Sequence, residues 1–201
     1  DMYHQYAPFF SELWHKIRNG ESLTYSWNIG MGTNFTSLFA YYLASPSNWF
    51  VALFPQKYTI EIMNAFIILK IAGSSLSLTY YLTKHNNNKH VIAAIFGMFY
   101  GMSGFIAAYS WNIMWLDGMI MLPLIVLGIE RIFNKGDIKL YTLSMILLFF
   151  ANYYMGYMSC IFAVIYFVAY FIISYKNDGK LNPNTKFEKK YSTKALMNNT
   201  F

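Results

Sequence analysis

An all-α, polytopic membrane protein is the fold class this sequence predicts, and three observations predict it. Of the 201 residues only 12% are charged, while 56% are hydrophobic and 20% aromatic; soluble domains carry about 25% charge. The apolar residues gather in long runs rather than at amphipathic spacing, and the basic residues fall on alternate connections between those runs. A soluble globular or a disordered chain fits none of this. The single cysteine, Cys160, excludes an intramolecular disulfide framework or a Cys-based zinc cluster.

A spanning helix needs about 20 mostly apolar residues. The runs predict five spans, near 61–83, 91–110, 115–133, 140–152 and 157–175. The last two come from one stretch too long for a single crossing, which must fold as a hairpin. Asn152-Tyr153-Tyr154-Met155-Gly156-Tyr157 is the place to turn. The third span is short and borrows Trp115 and Leu116. Ala93, Gly97, Gly101, Gly104 and Ala108 put small residues on one face of the second, a close-packing seam.

Arg and Lys prefer cytoplasmic connections. Lys84 and Lys89 lie in one, Arg131, Lys135 and Lys139 in the next, and Lys176, Lys180, Lys186, Lys189, Lys190 and Lys194 in the 176–201 tail. Those eleven of the fifteen basic residues share one side, while 111–117 and 152–157 hold none. The net charge of +6 thus marks topology in a plasma-membrane protein, and a nucleic-acid partner is not expected. Residues 1–60, Asp117 and the Asn152–Tyr157 turn are expected outside the cell and 176–201 inside. The chain opens on a polar segment with no cleavable signal peptide. Both ends read as cut from a larger protein, with a signal-anchor helix expected before Asp1.

Within 1–60, Phe9–Ile17 reads as an interfacial amphipathic helix and Ser22–Thr36 as an ordered loop. The stretch 35–54 is apolar enough for a sixth span, but Ser45-Pro46-Ser47-Asn48 interrupts it. Two interfacial helices fit it better, because Pro and Asn at mid-span are costly to satisfy.

Three strings carry a resemblance in the first outer segment: Asp1 with Gln5-Tyr6-x-Pro8-Phe9, Tyr25-Ser26-Trp27-Asn28-x-Gly30-x-Gly32-x-Asn34, and Tyr42-x-x-Ser45-Pro46-x-Asn48. Leu69-Lys70, Trp115-Leu116-Asp117 with Leu122-Pro123-Leu124, and Asn152-Tyr153-Tyr154-x-Gly156-Tyr157-Met158 follow in order. Together they resemble the YfhO family of bacterial membrane proteins, across most of residues 1–175. That family is longer and is similar to the GT-C glycosyltransferases, multi-span enzymes that take a sugar from a polyprenyl-phosphate carrier. The resemblance implies a GT-C-like bundle and a donor of that kind. It also implies a cell-surface polymer acceptor such as lipoteichoic acid, and membrane lipids as surroundings.

In the GT-C pattern an acidic residue follows the first helix in the first outer loop, where this chain has Asp1. A second acidic residue stands in the next outer loop, where it has Asp117. Sugar transfer needs a base for the acceptor hydroxyl and groups to stabilise the departing phosphate. Asp1, beside Tyr3, His4 and Tyr6, suits the base; it also reads as a solvated carboxylate at a helix end. Asp117, after Trp111 to Leu116 at the start of a span, reads either as a catalytic partner or as an N-cap. Two carboxylates and one His leave a divalent cation open, with too few ligands to name one.

Lys70 is the outlier inside a span, with Ser74, Ser77 and Tyr81 following on its helix face. It reads as the counter-charge of a carrier phosphate, as half of a structural ion pair, or as a snorkelling side chain. His4, Tyr6, Trp115, Asn152, Tyr153 and Tyr154 complete the candidate substrate-binding set. Gly156 reads as part of the outer turn, with stacking on sugar a secondary role for the tyrosines around it. No phosphate-cradling Gly-rich loop points to ATP. A transporter or flippase for a lipid-linked or small polar substrate is the competing class, since Lys70 and the small-residue seam suit a translocation path equally. An assembly protein without chemistry is the third.

Overall fold

A computed structural model describes residues 2–85 and 90–178. Asp1, the Asn86–Lys89 connection and most of the basic tail lie outside the described residues. The chain is almost wholly helical. The segment expected outside, called the outer segment for that expectation, holds α1 (Ala7–Asn19), a two-residue hairpin of β1 (Tyr25–Ser26) and β2 (Thr33–Asn34), and α2 (Phe35–Leu38). Then come α3 (Thr59–His85), α4 (His90–Gly101), α5 (Gly104–Tyr109), α6 (Leu116–Lys135), α7 (Lys139–Ala151) and α8 (Tyr153–Asp178).

Local chemistry accounts for the boundaries. α1 opens on Pro8 and closes on Gly20, whose φ of 65° is the left-handed conformation of a helix stop. α6 ends the same way at Gly136. Asn34 caps α2 by accepting from the Ser37 amide. Between Phe35 and Leu53 the chain makes short helical turns broken at extended Ser45. Asn48 closes that break: it is fully buried and donates to the Leu43 carbonyl.

Contacts fix the directions of the helices. Lys70 meets Asp117, Gly73 meets Ile120 and His85 meets Glu130, so α3 and α6 run parallel. Gly118 meets Met155 and Glu130 meets Tyr166, so α8 runs with them. Gly97 lies on Ser75 and Thr79 and Gly101 on Ile71, so α4 runs the other way, as does α7, with Tyr141 on Gly128. The outer segment, Asp117 and the α7–α8 joint therefore share one end of the bundle. Lys84, Arg131, Lys135 and Lys139 share the other.

The exterior is apolar: Ile68, Leu76, Ile92, Phe99, Phe150 and Ile165 are all exposed. Such a girdle needs lipid to cover it. Three stretches, Gln56–His85, His90–Tyr109 and Tyr153–Ser174, are long and apolar enough to cross a membrane. Helices occupy all five expected places, but α6 carries Asp117, Glu130, Arg131 and Lys135. α7 has only 13 residues, about 20 Å of rise.

Two expectations need correction. The small-residue seam stops at Gly101: after Ser103 the chain restarts as α5, where Gly104 has open space around it. Gly156 is not in the turn but in the first turn of α8. A Cβ there would meet the Phe149 ring at 2.8 Å, so this glycine serves the approach of α7 to α8. The turn itself is Asn152 alone, extended between the two helices.

Candidate functional site

Two cores set up the site. At the loop end, Tyr6, Phe10, Leu13, Phe35, Leu43 and Val51 pack on Ile62, Met63 and Phe66 of α3 and on Ile113 and Met114. Lower down, Ile125, Ile129, Met145, Leu148 and Ala163 join α6, α7 and α8. The first core docks the outer segment onto α3 and onto the connection into α6.

Beneath that dock lies a buried ion pair. Lys70 is 4% exposed and its Nζ stands 2.8 Å from Asp117 Oδ2. The same ammonium donates to Ser45 Oγ at 3.1 Å and to the Ile113 carbonyl at 3.2 Å. All three of its protons thus have acceptors. One acceptor lies in the outer segment, one in the connection and one in α6, so the lysine ties three parts of the chain together. Ser74 and Ser77 are buried on the same face of α3 and Tyr81 is half-buried beyond them, the row that their spacing predicts.

Asp117 does not cap α6: it sits inside the first turn, and no side-chain cap closes that end. Its carboxylate still lies where a helix dipole favours negative charge. Among the described residues no donor bonds its Oδ1, so one oxygen is clamped while the other is open.

Aromatic and amide groups surround the pair. Tyr6 is buried and donates to Asn112 Oδ1 at 2.5 Å. Burial, and then the neighbouring Tyr42 and Tyr41, hold its phenol above the ordinary tyrosine range, so it stays a proton donor. Its ring stands edge-on to Tyr42 and Trp111. Trp115 lies over Phe105 and beside Tyr109, and its buried indole N–H has no partner among the described residues. Asn152 is fully buried with both ends of its amide engaged: Nδ2 donates to the Tyr41 carbonyl at 2.8 Å, and Oδ1 accepts from the Met155 amide at 2.9 Å. Tyr153 and Tyr154 are exposed, their rings 5.8 and 6.3 Å from Tyr41. His4 is exposed and touches only the Tyr3 ring among the aromatics.

The structure therefore brings Lys70, Asp117, Tyr6, Trp115, Asn152, Tyr153 and Tyr154 to one end of the bundle. Asp1 lies outside the described residues. No three His, Cys, Asp or Glu side chains among the described residues gather to hold a metal. A divalent ion at Asp117 would also sit against the Lys70 ammonium, so these residues do not fit one.

Two buried networks were not anticipated from the sequence. Glu12 is 7% exposed, and its carboxylate accepts from Ser26 Oγ at 2.6 Å and Asn28 Nδ2 at 3.0 Å. Lys16, one turn on, donates to the Ser22 and Tyr25 carbonyls. At the other end of the bundle Glu130 binds Tyr81, Tyr166 and His85. The available signal was an acid or base at helical spacing on an otherwise apolar face.

The profile of the family described as bacterial membrane protein YfhO matches residues 1–195. The chain belongs to the YfhO family. No curated protein and no solved structure matches it. The strings that carry the YfhO resemblance coincide with the polar ties of the loop end. Ser26 and Asn28 bind Glu12, Asn34 caps α2, Ser45 receives Lys70, Asn48 closes the break, and Asn152 joins α8 to Tyr41.

Proposed function

We propose that this YfhO protein is a membrane glycosyltransferase. It moves a sugar from a polyprenyl-phosphate carrier to a cell-surface polymer, such as lipoteichoic acid, on the outer face of the plasma membrane. The observation that carries the reading is a buried carboxylate with one oxygen open, at the end of an apolar bundle roofed by an aromatic-rich segment. Asp1 is the proposed base for the acceptor hydroxyl, with Asp117 as its partner. Lys70 fixes the Asp117 carboxylate in position and supplies positive charge near a departing phosphate. Tyr153, Tyr154 and Trp115 offer ring faces and His4 offers a polar edge, the mixture a sugar requires, while Tyr6 holds Asn112 behind them. The turns without basic residues face out and the basic connections face in, as the loop bias favours.

A transporter would use Lys70 along a path. Against that reading stands the engagement of Lys70 Nζ by Ser45, Ile113 and Asp117, with no proton left over.

The test uses cells making the whole protein as Asp1→Asn or as Asp117→Asn, with membrane level checked and sugar on the surface polymers read by mass analysis. Each variant is expected to reach the membrane and lose the sugar. Full decoration with Asp1→Asn removes that residue as the base and brings the transporter forward; full decoration with Asp117→Asn leaves the pair a purely structural role.

A further inference from the structure

The Lys70–Asp117 pair leaves unexplained the opposite end of the same helices. There the last turns of α3 and α6 and the flank of α8 enclose a pocket of about 390 Å³. Lys84, His85, Arg131, Asn134 and Lys135 line it around Glu130. Glu130 is 4% exposed and fully engaged: Oε1 accepts from the Tyr81 and Tyr166 hydroxyls at 2.9 and 3.0 Å, and Oε2 lies 2.9 Å from His85 Nδ1. Its charge is therefore spread over three partners at the floor. The cations at the rim are differently placed. Among the described residues no carboxylate pairs with Lys84, Arg131 or Lys135. Arg131 makes one hydrogen bond, to the Tyr80 hydroxyl at 3.1 Å, and Lys84 lies 5.7 Å from the centre of the Tyr80 ring. Three rim cations against the single Glu130 carboxylate leave the pocket net positive, which suits an anion.

Its position narrows the ligand. Lys84 lies fourteen residues beyond Lys70, about 21 Å along α3, just past the apolar stretch where headgroups begin. A guanidinium with two ammonium groups suits phosphate oxygens. Small-molecule sites occupy about 300–1,000 Å³, so a headgroup fills this volume better than a lone inorganic ion. We infer that this pocket binds a phosphate group, presented by an anionic lipid headgroup of the leaflet on the basic side. The inference stands apart from the glycosyltransferase reading, because no residue of that site lines the pocket.

The test takes the whole protein in nonionic detergent and reads lipid retention by native mass spectrometry and melting by fluorescence. Phosphatidylglycerol, phosphatidylcholine and inorganic phosphate are the probes. The wild type is expected to retain one phosphatidylglycerol, with at least tenfold weaker retention by Arg131→Gln/Lys135→Gln and by the single exposed variant Lys84→Gln. Phosphatidylcholine is expected to be lost from all. Lys139→Gln, at the same end but outside the pocket, is expected to behave as the wild type. Melting raised by inorganic phosphate in the wild type and not in the variants, with both lipids equal, would assign the phosphate to a soluble source and overturn the lipid. Equal phosphatidylglycerol retention by wild type and pocket variants overturns the site, as does equal weakening by Lys139→Gln.

Discussion

At the residue scale the informative object is a charge that cannot stand alone. Lys70 and Asp117 sit together where little water reaches, and removing one leaves the other uncompensated. Breaking such a pair costs about 3–5 kcal/mol, whereas replacing both members by apolar groups is often close to neutral. Lys70→Met is therefore expected to lower the melting temperature in detergent sharply, and Lys70→Met/Asp117→Leu to restore most of it. A double variant as unstable as the single one would show that Ser45 and Ile113, rather than Asp117, set the cost. The pair also changes how a loss of sugar transfer in Lys70→Met is to be read, since stability falls with it. Transfer measured per folded Lys70→Met protein separates the two effects, because the double variant also lacks Asp117. Sequence made Lys70 conspicuous, because an ammonium inside an apolar run is expensive wherever it points. It left open which partner the lysine had, since residues 45, 70, 113 and 117 meet only through tertiary packing. Glu12 and Glu130 do not stand out, because a carboxylate on a helix flanked by other charges is ordinarily solvated, and His85 reads from sequence only as a loop residue without metal spacing.

At the element scale two arrangements carry the argument. The α3–α4 contact depends on absent side chains. A Cβ at Gly97 would meet the Ser75 carbonyl at 2.6 Å and collide with Thr79, whereas one at Gly104 would meet nothing. Gly97→Leu is expected to destabilise the bundle by about 1–3 kcal/mol or more, and Gly104→Leu to be tolerated, both read by melting in detergent. Comparable losses would mean that the seam continues past Ser103. In the outer segment, Glu12 ties α1 to the hairpin. Burial alone would raise its pKa, but hydrogen bonds from Ser26 and Asn28 and the charge of Lys16 outweigh burial and lower it from 4.5. A carboxylate depressed on folding contributes stability that is complete above its unfolded pKa and is lost as pH falls through the folded value. Residues 22–34 are therefore expected to become protease-sensitive only at pH below about 4.5, and Glu12→Gln to remove that pH dependence. Sequence spacing located the helices well, since a long apolar run has few other uses. The break after Gly101 was less legible, because the apolar pattern runs on through Ser103 while the backbone does not.

At the scale of the whole molecule, the parallel course of α3, α6 and α8 gathers the basic connections at one end and the neutral ones at the other. The loop bias alone predicts that division, and the contacts give it a shape. In a cysteine-free background, Lys57→Cys is expected to react with an impermeant thiol reagent in intact cells, and Lys135→Cys only after the cells are permeabilised. Both labelling from one side would overturn the orientation proposed for the site. The loop end owes its legibility to strings of Asn, Ser and Tyr that resemble the YfhO family, and the polar ties among those strings explain why they recur together here. The basic end had no such strings, and its pocket became apparent only once α3 and α6 lay side by side.

The brevity of α7 has a consequence for the lipid around it. The helix rises about 20 Å and faces outward with Ile146, Leu147, Phe149 and Phe150, while the hydrocarbon of a bilayer is about 30 Å thick. The one-residue joint at Asn152, tied to Tyr41, leaves α7 no slack with which to lengthen. If α7 crosses the membrane, as its apolar run predicts, the bilayer must thin beside it, at a cost of fractions of a kcal/mol per Å. In the orientation proposed above, such a dimple draws the headgroup layer inward at Tyr153 and Tyr154, the two exposed rings of the joint.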